Sequence, residues 1–318
     1  MNAVIHGLSN EEYHDLNGKY GCYISSSLLK LYKKSPAAYY YATHNATNEQ
    51  TDAMRFGSLF HSAMQLFQEY GTIDAFWDSV AIFKAPVNPK TGQPYGATTK
   101  AYTEAYTKFL VDNQGKEVAT LADVARIDDM VGALVRPGVG GSTALQVLKL
   151  LKWGKPEVSI FYETEDGIKL KIRPDLLTSS KIIDWKTTNS DDLSEDAINH
   201  AILSFGYHIS AAMYQWVAHK VIGKWLDFYL VFVSKIPPYD CVMVSMANYG
   251  YRRLPGVDDV IRGCGALEFE RLLDMHTQCV KENHWPGAEI NIPCDGNYRI
   301  LEIRPPRYYE NKFFAQSV

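Results

Sequence analysis

The chain has 318 residues, 46% of them hydrophobic and 21% charged, which is the composition of a folded globular protein and excludes a disordered or low-complexity one. A net charge of −4 carries no global basic signature for nucleic acid, so any field that draws DNA must belong to a cleft. The opening Met-Asn-Ala-Val-Ile-His-Gly lacks the pattern of a secretory leader, and no apolar run approaches the ~20 residues that span a bilayer. Five cysteines (Cys22, Cys241, Cys264, Cys279, Cys294) lie far apart without a Cys-x-x-Cys pair, against a disulfide framework or a zinc site. The expectation is a cytoplasmic protein with no membrane association.

The first half reads as mainly helical. In the stretch 23–41, serines precede Leu28-Leu29, and Ser35-Pro36 sets an N-cap before a proline at the first helical position, so two short helices meet at a corner. Lys30, Lys33 and Lys34 lie near one face there, either to meet phosphate or as a solvated surface. In Met54–Phe67 the apolar residues Leu59, Phe60, Ala63, Met64 and Phe67 recur at helical spacing. His61 falls beside that stripe, one turn after Gly57. Residues 84–99 are rich in Pro, Gly and Thr and read as an exposed loop. Helices are expected over 100–113 and 120–136, with Thr120 as cap. A break at Pro137–Gly141 precedes a further helix capped by Ser142.

The pattern changes to strands at Pro156. Residues 157–163 alternate, Glu165-Asp-Gly167 turns, and 168–173 alternate again. Ile168, Leu170 and Ile172 take the core side, which leaves Lys169, Lys171 and Arg173 as a three-cation ladder on the other. That ladder suits a polyphosphate strand, or is a plain solvent-facing edge. After it, Arg173-Pro-Asp175 leads through a short polar turn at 178–180 into Lys181-Ile-Ile-Asp-Trp-Lys186. Alternation projects Asp184 and Lys186 to one face and Ile183 and Trp185 to the other, and a hairpin-like return brings Asp175 beside Asp184. An Asp-x-Lys by itself is most often a surface ion pair. Here its flanks are apolar, and unpaired charge beside a buried strand is costly. Two carboxylates and an ammonium at one spot suit Mg²⁺.

Beyond this stretch, a helix is expected near 191–201 and a strong one over 205–220, with Tyr207, Ser210, Ala211 and Tyr214 on one face. Strands follow at 225–234 and 241–246, then a long helix from about 257 to 283 and an extended tail. The fold class is therefore α/β: a central mixed sheet flanked by helices, after a helical N-terminal half. The expected organisation is one domain over 1–318, with a mainly helical part (1–150), an α/β core (151–250), and a C-terminal helix and tail (251–318).

Arg-Pro-Asp175 followed by Asp184-Trp-Lys186 resembles the PD-(D/E)xK nuclease signature. Further stretches match in the same order. ISSSLLKLYKKSPAAYYY is similar to the opening of RecB-type nuclease domains, GSLFHSAMQ to their Gly…His motif, and YHISAAMY to their Gln-x-x-x-Tyr helix. GKPEVSIFYETEDGIKLKIRPDLL resembles the RecE-like (exonuclease VIII) branch found in phages and prophages. The resemblance, which runs from about residue 24 to 233, implies a restriction-endonuclease-like core. It implies that Asp175, Asp184 and the Trp185 carbonyl bind Mg²⁺ (Mn²⁺ substituting), with Glu157 and His61 completing or bordering the site and Lys186 assisting the attacking water. Tyr207, Ser210, Tyr214, Lys169, Lys171 and Arg173 are the expected DNA contacts. The implied activity is a 5′→3′ exonuclease on double-stranded DNA ends, in a ring-like homo-oligomer (perhaps a tetramer) working with a single-strand annealing partner in recombination. A structure-specific endonuclease, or a DNA-binding protein that does not cut, is the alternative. The chain departs from the family at Ser210, where the helix carries Gln; Gln215 lies about 140° around the helix and is no simple replacement. It departs again at Ser35, where iron–sulfur members carry Cys, so no iron–sulfur cluster is expected.

Overall fold

The computed structural model describes residues 2–45, 51–254 and 259–291. In chain order the elements are β1 (Ala3–Ile5), α1 (Asn10–His14), α2 (Ser26–Leu29), a 3-10 turn (Lys30–Lys33), α3 (Pro36–His44), α4 (Asp52–Tyr70), α5 (Asp74–Ser79) and β2 (Val80–Ile82). Next come α6 (Lys100–Asp112), β3 (Glu117–Ala119), α7 (Leu121–Val135), α8 (Pro137–Trp153), β4 (Lys155–Pro156), β5 (Ser159–Glu163), β6 (Lys169–Ile172), β7 (Leu176–Leu177) and β8 (Lys181–Thr188). The chain continues with α9 (Glu195–Ser204), α10 (Tyr207–Ile222), β9 (Asp227–Ser234), β10 (Cys241–Ser245), β11 (Tyr251–Arg253), β12 (Val260–Arg262), α11 (Cys264–Glu282) and a 3-10 turn (Ala288–Asn291). It divides into two compact units, one of residues 1–26 and 47–271, the other of 27–46 and 272–318.

The larger unit is built on a five-stranded sheet of order β10-β9-β8-β7-β4, in which β8 and β9 are parallel and the other pairs antiparallel. The β8–β9 pair is buried because both strands are apolar runs, as parallel strands covered on two faces must be. Ile183, Trp185, Val231 and Val233 join Leu59, Phe60 and Met64 of α4 and the apolar faces of α7 and α8 in the main core. The alternate residues turn to the other face, where α10 lies: Phe228 meets Tyr214, and Phe232 meets Tyr207. A second, three-stranded sheet, β1-β5-β6, is continuous in sequence with the first. The chain passes from one sheet to the other twice, between β4 and β5 and between β6 and β7. At the first crossing Glu157 takes a positive φ of 49°, a backbone state that costs a residue with a Cβ about 1–3 kcal/mol.

The smaller unit is held by aromatic packing. Ser35 caps α3 through Ala38 N (3.1 Å), Tyr32 Oη lies 2.7 Å from His276 Nδ1, and Tyr39 stacks on Trp285. Ser35 thus serves as a helix cap, as its place before Pro36 predicts.

Most expected elements form within a residue or two of their expected ends. Three differences have identifiable causes. Residues 260–262, read as the start of the last helix, pair with β11 as strand β12, so α11 begins only at Cys264. The break near Pro137–Gly141 narrows to Gly141 alone, whose φ of 56° and ψ of −133° interrupt the helical run. The short strands β1, β2 and β3 carry too few residues to show a period and form only by pairing with distant partners. Of the expected extended tail, residues 284–291 are described and include the 3-10 turn Ala288–Asn291; its remainder, with Cys294, lies outside the described residues.

Gln215 is buried at 1% exposure and bonded at every position. Its Nε2 donates to Leu226 O and Tyr251 O, and its Oε1 accepts from Tyr251 N, all at 2.8 Å. A Cβ on Gly250 would lie 2.0 Å from Gln215 Oε1, so glycine is required there. Gln215 is therefore a buried clasp between α10 and β11. Gln215→Leu leaves two carbonyls and one N–H without partners, at about 1–3 kcal/mol each. Urea denaturation is expected to show a loss of at least about 3 kcal/mol.

Candidate active site

The site gathers where β7 leaves β8. The pairs Leu176↔Ile183 and Leu177↔Ile182, continued one step, set Asp175 opposite Asp184. On the other side, Pro156↔Leu176 continues to Glu157 beside Asp175, and Glu157 N donates to Asp175 O at 3.2 Å. Register alone thus lines up Glu157, Asp175 and Asp184 across three neighbouring strands. Asp175 Oδ2 accepts the Trp185 N–H at 2.6 Å, completing the ladder with a side chain where the backbone of β7 turns away. Asp175 and Asp184 are 8% and 9% exposed, so both carboxylates are withdrawn from bulk water.

Helix α4 delivers His61 from the opposite side. Its Nδ1 lies 3.2 Å from Asp175 Oδ1 and its Nε2 3.2 Å from the Trp185 carbonyl oxygen. Two acceptors on one ring favour the doubly protonated form. Burial alone would lower the His61 pKa, but the charge and hydrogen bond of Asp175 outweigh it and lift the group to about 9. Asp175 is held below its ordinary value: burial opposes this, and the His61 charge and hydrogen bond, Lys186 and the Trp185 N–H together prevail.

Lys186 forms an ion pair with Asp184, and its Nζ also donates to the Trp185 carbonyl at 3.3 Å. Its ammonium lies 5.1 Å from the centroid of the Tyr207 ring. Burial works against the charge of Lys186, yet Asp184 and Asp175 raise its pKa, so the side chain stays a cation. In this arrangement it is suited to steadying an anion rather than to taking a proton from water. Asp184 is raised, chiefly by burial, with Lys186 acting against the rise.

Glu157, Asp175 and His61 offer ligand atoms that all lie within 4.8 Å of one another. Two carboxylates and an imidazole form a donor set that fits a divalent cation. Asp184, across the strand pair from Asp175, turns its carboxylate to Lys186 instead, and the Trp185 carbonyl already faces His61 and Lys186. Glu157 is raised to about 7, first by burial and then by the charge of Asp175.

The expected cation ladder does not open to DNA as a unit. Lys171 is 2% exposed, and its Nζ donates to Tyr13 O (2.6 Å) and Tyr20 O (3.0 Å). Burial lowers its pKa to about 8. Arg173 donates to Leu8 O (2.9 Å) and Ser9 O (3.3 Å), and its Nε forms an ion pair with Glu157 Oε2 at 2.6 Å. Lys169 is half-buried, 5.9 Å from the Tyr23 ring centroid. The physical reason is long-range: residues 8–24 fold over this face of β5 and β6, with Ile24 bonded to both sides of Leu170. Alternation located the face correctly, but no local pattern announces what will cover it. Arg173 consequently acts as the partner of Glu157, a role with no local sequence signal.

On α10, Tyr207 underlies Lys186, while Tyr214 Oη donates to Arg173 O at 3.4 Å and ties the helix to the turn that presents Asp175. Ser210 is half-buried one turn before Tyr214, and Gln215 is engaged elsewhere, as its helical angle implied. Gly57 faces open space, where an added Cβ would meet nothing within 4 Å, so packing does not require this helical glycine.

A cation entering the His61–Glu157–Asp175 cluster must displace protons, since each ligand binds in its deprotonated form. Above about 9 there is none to displace; between about 9 and about 7 there is one, on His61; below about 7 Glu157 adds a second. Calorimetric titration with Mn²⁺ is expected to show affinity falling with pH by roughly tenfold per pH unit per proton displaced. Repeating it in buffers of different ionisation enthalpy counts the protons, and His61→Ala removes the first of them.

The model of the family described as PDDEXK-like domain of unknown function (DUF3799) matches residues 25–294. Among solved structures, the chain is similar to the crystal structure of a "putative exonuclease" from Eubacterium rectale. The match has a TM-score of 0.53 and 17% sequence identity, and covers 95% of this chain and 97% of that one. At that identity the likeness speaks for the fold. No curated protein matches the chain. No helix among the described residues is long and apolar enough to cross a membrane. With a mixed sheet, Asp175 and Asp184 facing each other across neighbouring strands, and a family match over most of its length, the chain belongs to the PDDEXK-like domain family, within the PD-(D/E)xK nuclease superfamily.

Proposed function

We propose that this chain is a Mg²⁺-dependent deoxyribonuclease that hydrolyses DNA from double-stranded ends in the 5′→3′ direction. The observation that carries this is the row Glu157–Asp175–Asp184 across three strands, with Lys186 on the Asp184 side and His61 closing on Asp175. A cluster of buried carboxylates, a buried ammonium and an imidazole is expensive to assemble without a ligand. Phosphodiester hydrolysis uses all of them.

Asp175, Asp184, Glu157, His61 and the Trp185 carbonyl are the groups that would hold the ion. A divalent cation bound there supplies a Lewis acid for the phosphoryl oxygen and an acidified water. Asp175 is already ionised; its bond to Trp185 N–H fixes one oxygen, and the other, which faces His61 Nδ1 at 3.2 Å, would be the one offered to the ion. Lys186 carries the positive charge that meets the extra negative charge developing on the phosphate. Asp184, the present partner of Lys186, would be a further ligand for the ion once that ammonium pairs with phosphate instead. Arg173 restrains Glu157 at the rim and offsets its charge.

End-dependence, direction, a ring-like homo-oligomer, a single-strand annealing partner and an origin in a phage or prophage come from the resemblance to the RecE-like branch. Mn²⁺ is proposed to replace Mg²⁺, because carboxylate and imidazole ligands serve both.

The test compares linear with covalently closed duplex DNA in the presence of Mg²⁺. Wild type is expected to degrade the linear form and spare the circle. Lys186→Ala is expected to lower the rate by roughly 10²- to 10³-fold, as loss of a transition-state charge partner does. Asp184→Ala is expected to abolish cutting. Cleavage of closed circles would replace the exonuclease by a structure-specific endonuclease of the same fold. Absence of any Mg²⁺-dependent cutting would leave a DNA-binding protein that does not cut.

A further inference from the structure

Helix α9 ends at Phe205, and Gly206 with φ 65° turns the chain sharply into α10. This corner leaves Phe205 63% exposed. Phe205 stacks on Tyr207 with centroids 5.5 Å apart, and the Tyr207 ring in turn faces the Lys186 ammonium at 5.1 Å. An exposed aromatic ring therefore stands two contacts away from the cation of the proposed active site.

A groove of about 200 Å³ lies beside it, lined by Phe205 and Phe232, by Ala197 and Ala201 of α9, and by polar groups that include Ser190 and Asp192. Thr188, also in its wall, shares a face of β8 with Asp184 and Lys186, and Phe232 pairs with Lys186 in register. From Lys186 to Thr188 is a strand step of about 6.6 Å, or roughly two rises of about 3.4 Å along one DNA strand. Among the described residues no lysine or arginine lines the groove, whose wall holds His200 and the Asp192 carboxylate, so it is poorly suited to phosphate. Thr188 Oγ1, Ser190 Oγ and Asp192 Oδ1 already accept backbone N–H groups of the turn. It is therefore the apolar walls and the stackable ring that suit the face of a nucleobase, with the second Asp192 oxygen as an acceptor for its edge.

We propose that Phe205 and this groove take up a nucleobase of the strand being cut, one or two nucleotides from the phosphate held at Lys186. The assignment rests on the deoxyribonuclease function proposed above. It makes Phe205 a substrate-positioning residue and makes unstacking of the terminal nucleotides part of productive binding. Duplexes with frayed ends then bind in register more readily than fully paired blunt ends.

The test uses the full-length protein with Ca²⁺ in place of Mg²⁺, so that binding is read without turnover, and oligonucleotide duplexes carrying 2-aminopurine near one end. Wild type is expected to quench the emission of the base stacked on Phe205. Phe205→Ala is expected to lose the quench and weaken binding roughly 5- to 150-fold, the range for one base–aromatic stack, while Phe205→Trp restores both. On a duplex with an abasic residue at that position, wild type and Phe205→Ala are expected to bind alike, which a structural role for the ring would not produce. If wild type cuts DNA with Mg²⁺ but Phe205→Ala binds base-bearing and abasic duplexes just as wild type does, this assignment is wrong and the nuclease stands. If Phe205→Ala instead alters self-association and leaves the quench in place, the ring is a protein contact and the assignment is wrong. If wild type neither binds nor cuts DNA, both proposals fall.

Discussion

The bond from Trp185 N–H to Asp175 Oδ2 is the constraint on which the site depends. Strand β7 is two residues long and abandons β8 before β8 itself ends, leaving a buried backbone donor that must find a partner. Asp175 provides it at 2.6 Å and thereby fixes its own carboxylate against the face that also carries Asp184. Proline at 174 helps, since it removes a donor from the turn and biases the preceding residue towards extended backbone. Everything else then arrives by register: Asp184 from β8, Glu157 from β4, and His61 from the helix packed over Ile183 and Trp185.

The electrostatics follow from that placement. Five ionisable groups, His61, Glu157, Asp175, Asp184 and Lys186, share a space that excludes most water, and their charges compensate in pairs. Asp175 is matched by His61, Asp184 by Lys186, and Glu157 by Arg173. The His61 and Lys186 pKa values rise and that of Asp175 falls, while burial lifts Asp184 and Glu157 against the pull of their cationic partners. The His61 imidazolium supplies positive charge to Asp175, and the same nitrogen lone pair becomes available as a ligand once the proton leaves. The strained backbone at Glu157, at the passage from one sheet to the other, belongs to the same device, since the crossing directs a glutamate to the rim of the cluster.

The N-terminal segment has a part in this that composition does not reveal. Carbonyls of Leu8, Ser9, Tyr13 and Tyr20 accept hydrogen bonds from Arg173 and Lys171, so two cations of the ladder are consumed in fastening residues 8–24 to β6. Buried cations on backbone carbonyls are costly to desolvate, and Lys171 shows it in its lowered pKa. What the fastening secures is the Arg173 guanidinium beside Glu157.

Much of this protein was legible in its sequence because the relevant physics is local. Period-two alternation placed Asp184 and Lys186 on one face and Ile183 and Trp185 on the other. Cap residues located the starts of α3 and α7 at Ser35 and Thr120, and helical angle separated Gln215 from the site. The Pro-Asp…Asp-x-Lys spacing and its flanking motifs identified the superfamily. Tertiary structure alone decided which cations remain available, because the segment that covers Lys171 lies some 150 residues away in sequence. It also decided the helix boundary near residue 260, where pairing with β11 overrides local preference, and it brought Tyr207 against Lys186. Alternation and capping are set by the nearest few residues, so a sequence determines them by itself. Burial of a charge and exposure of a ring depend on which distant segment arrives to cover them, and only the folded chain decides that.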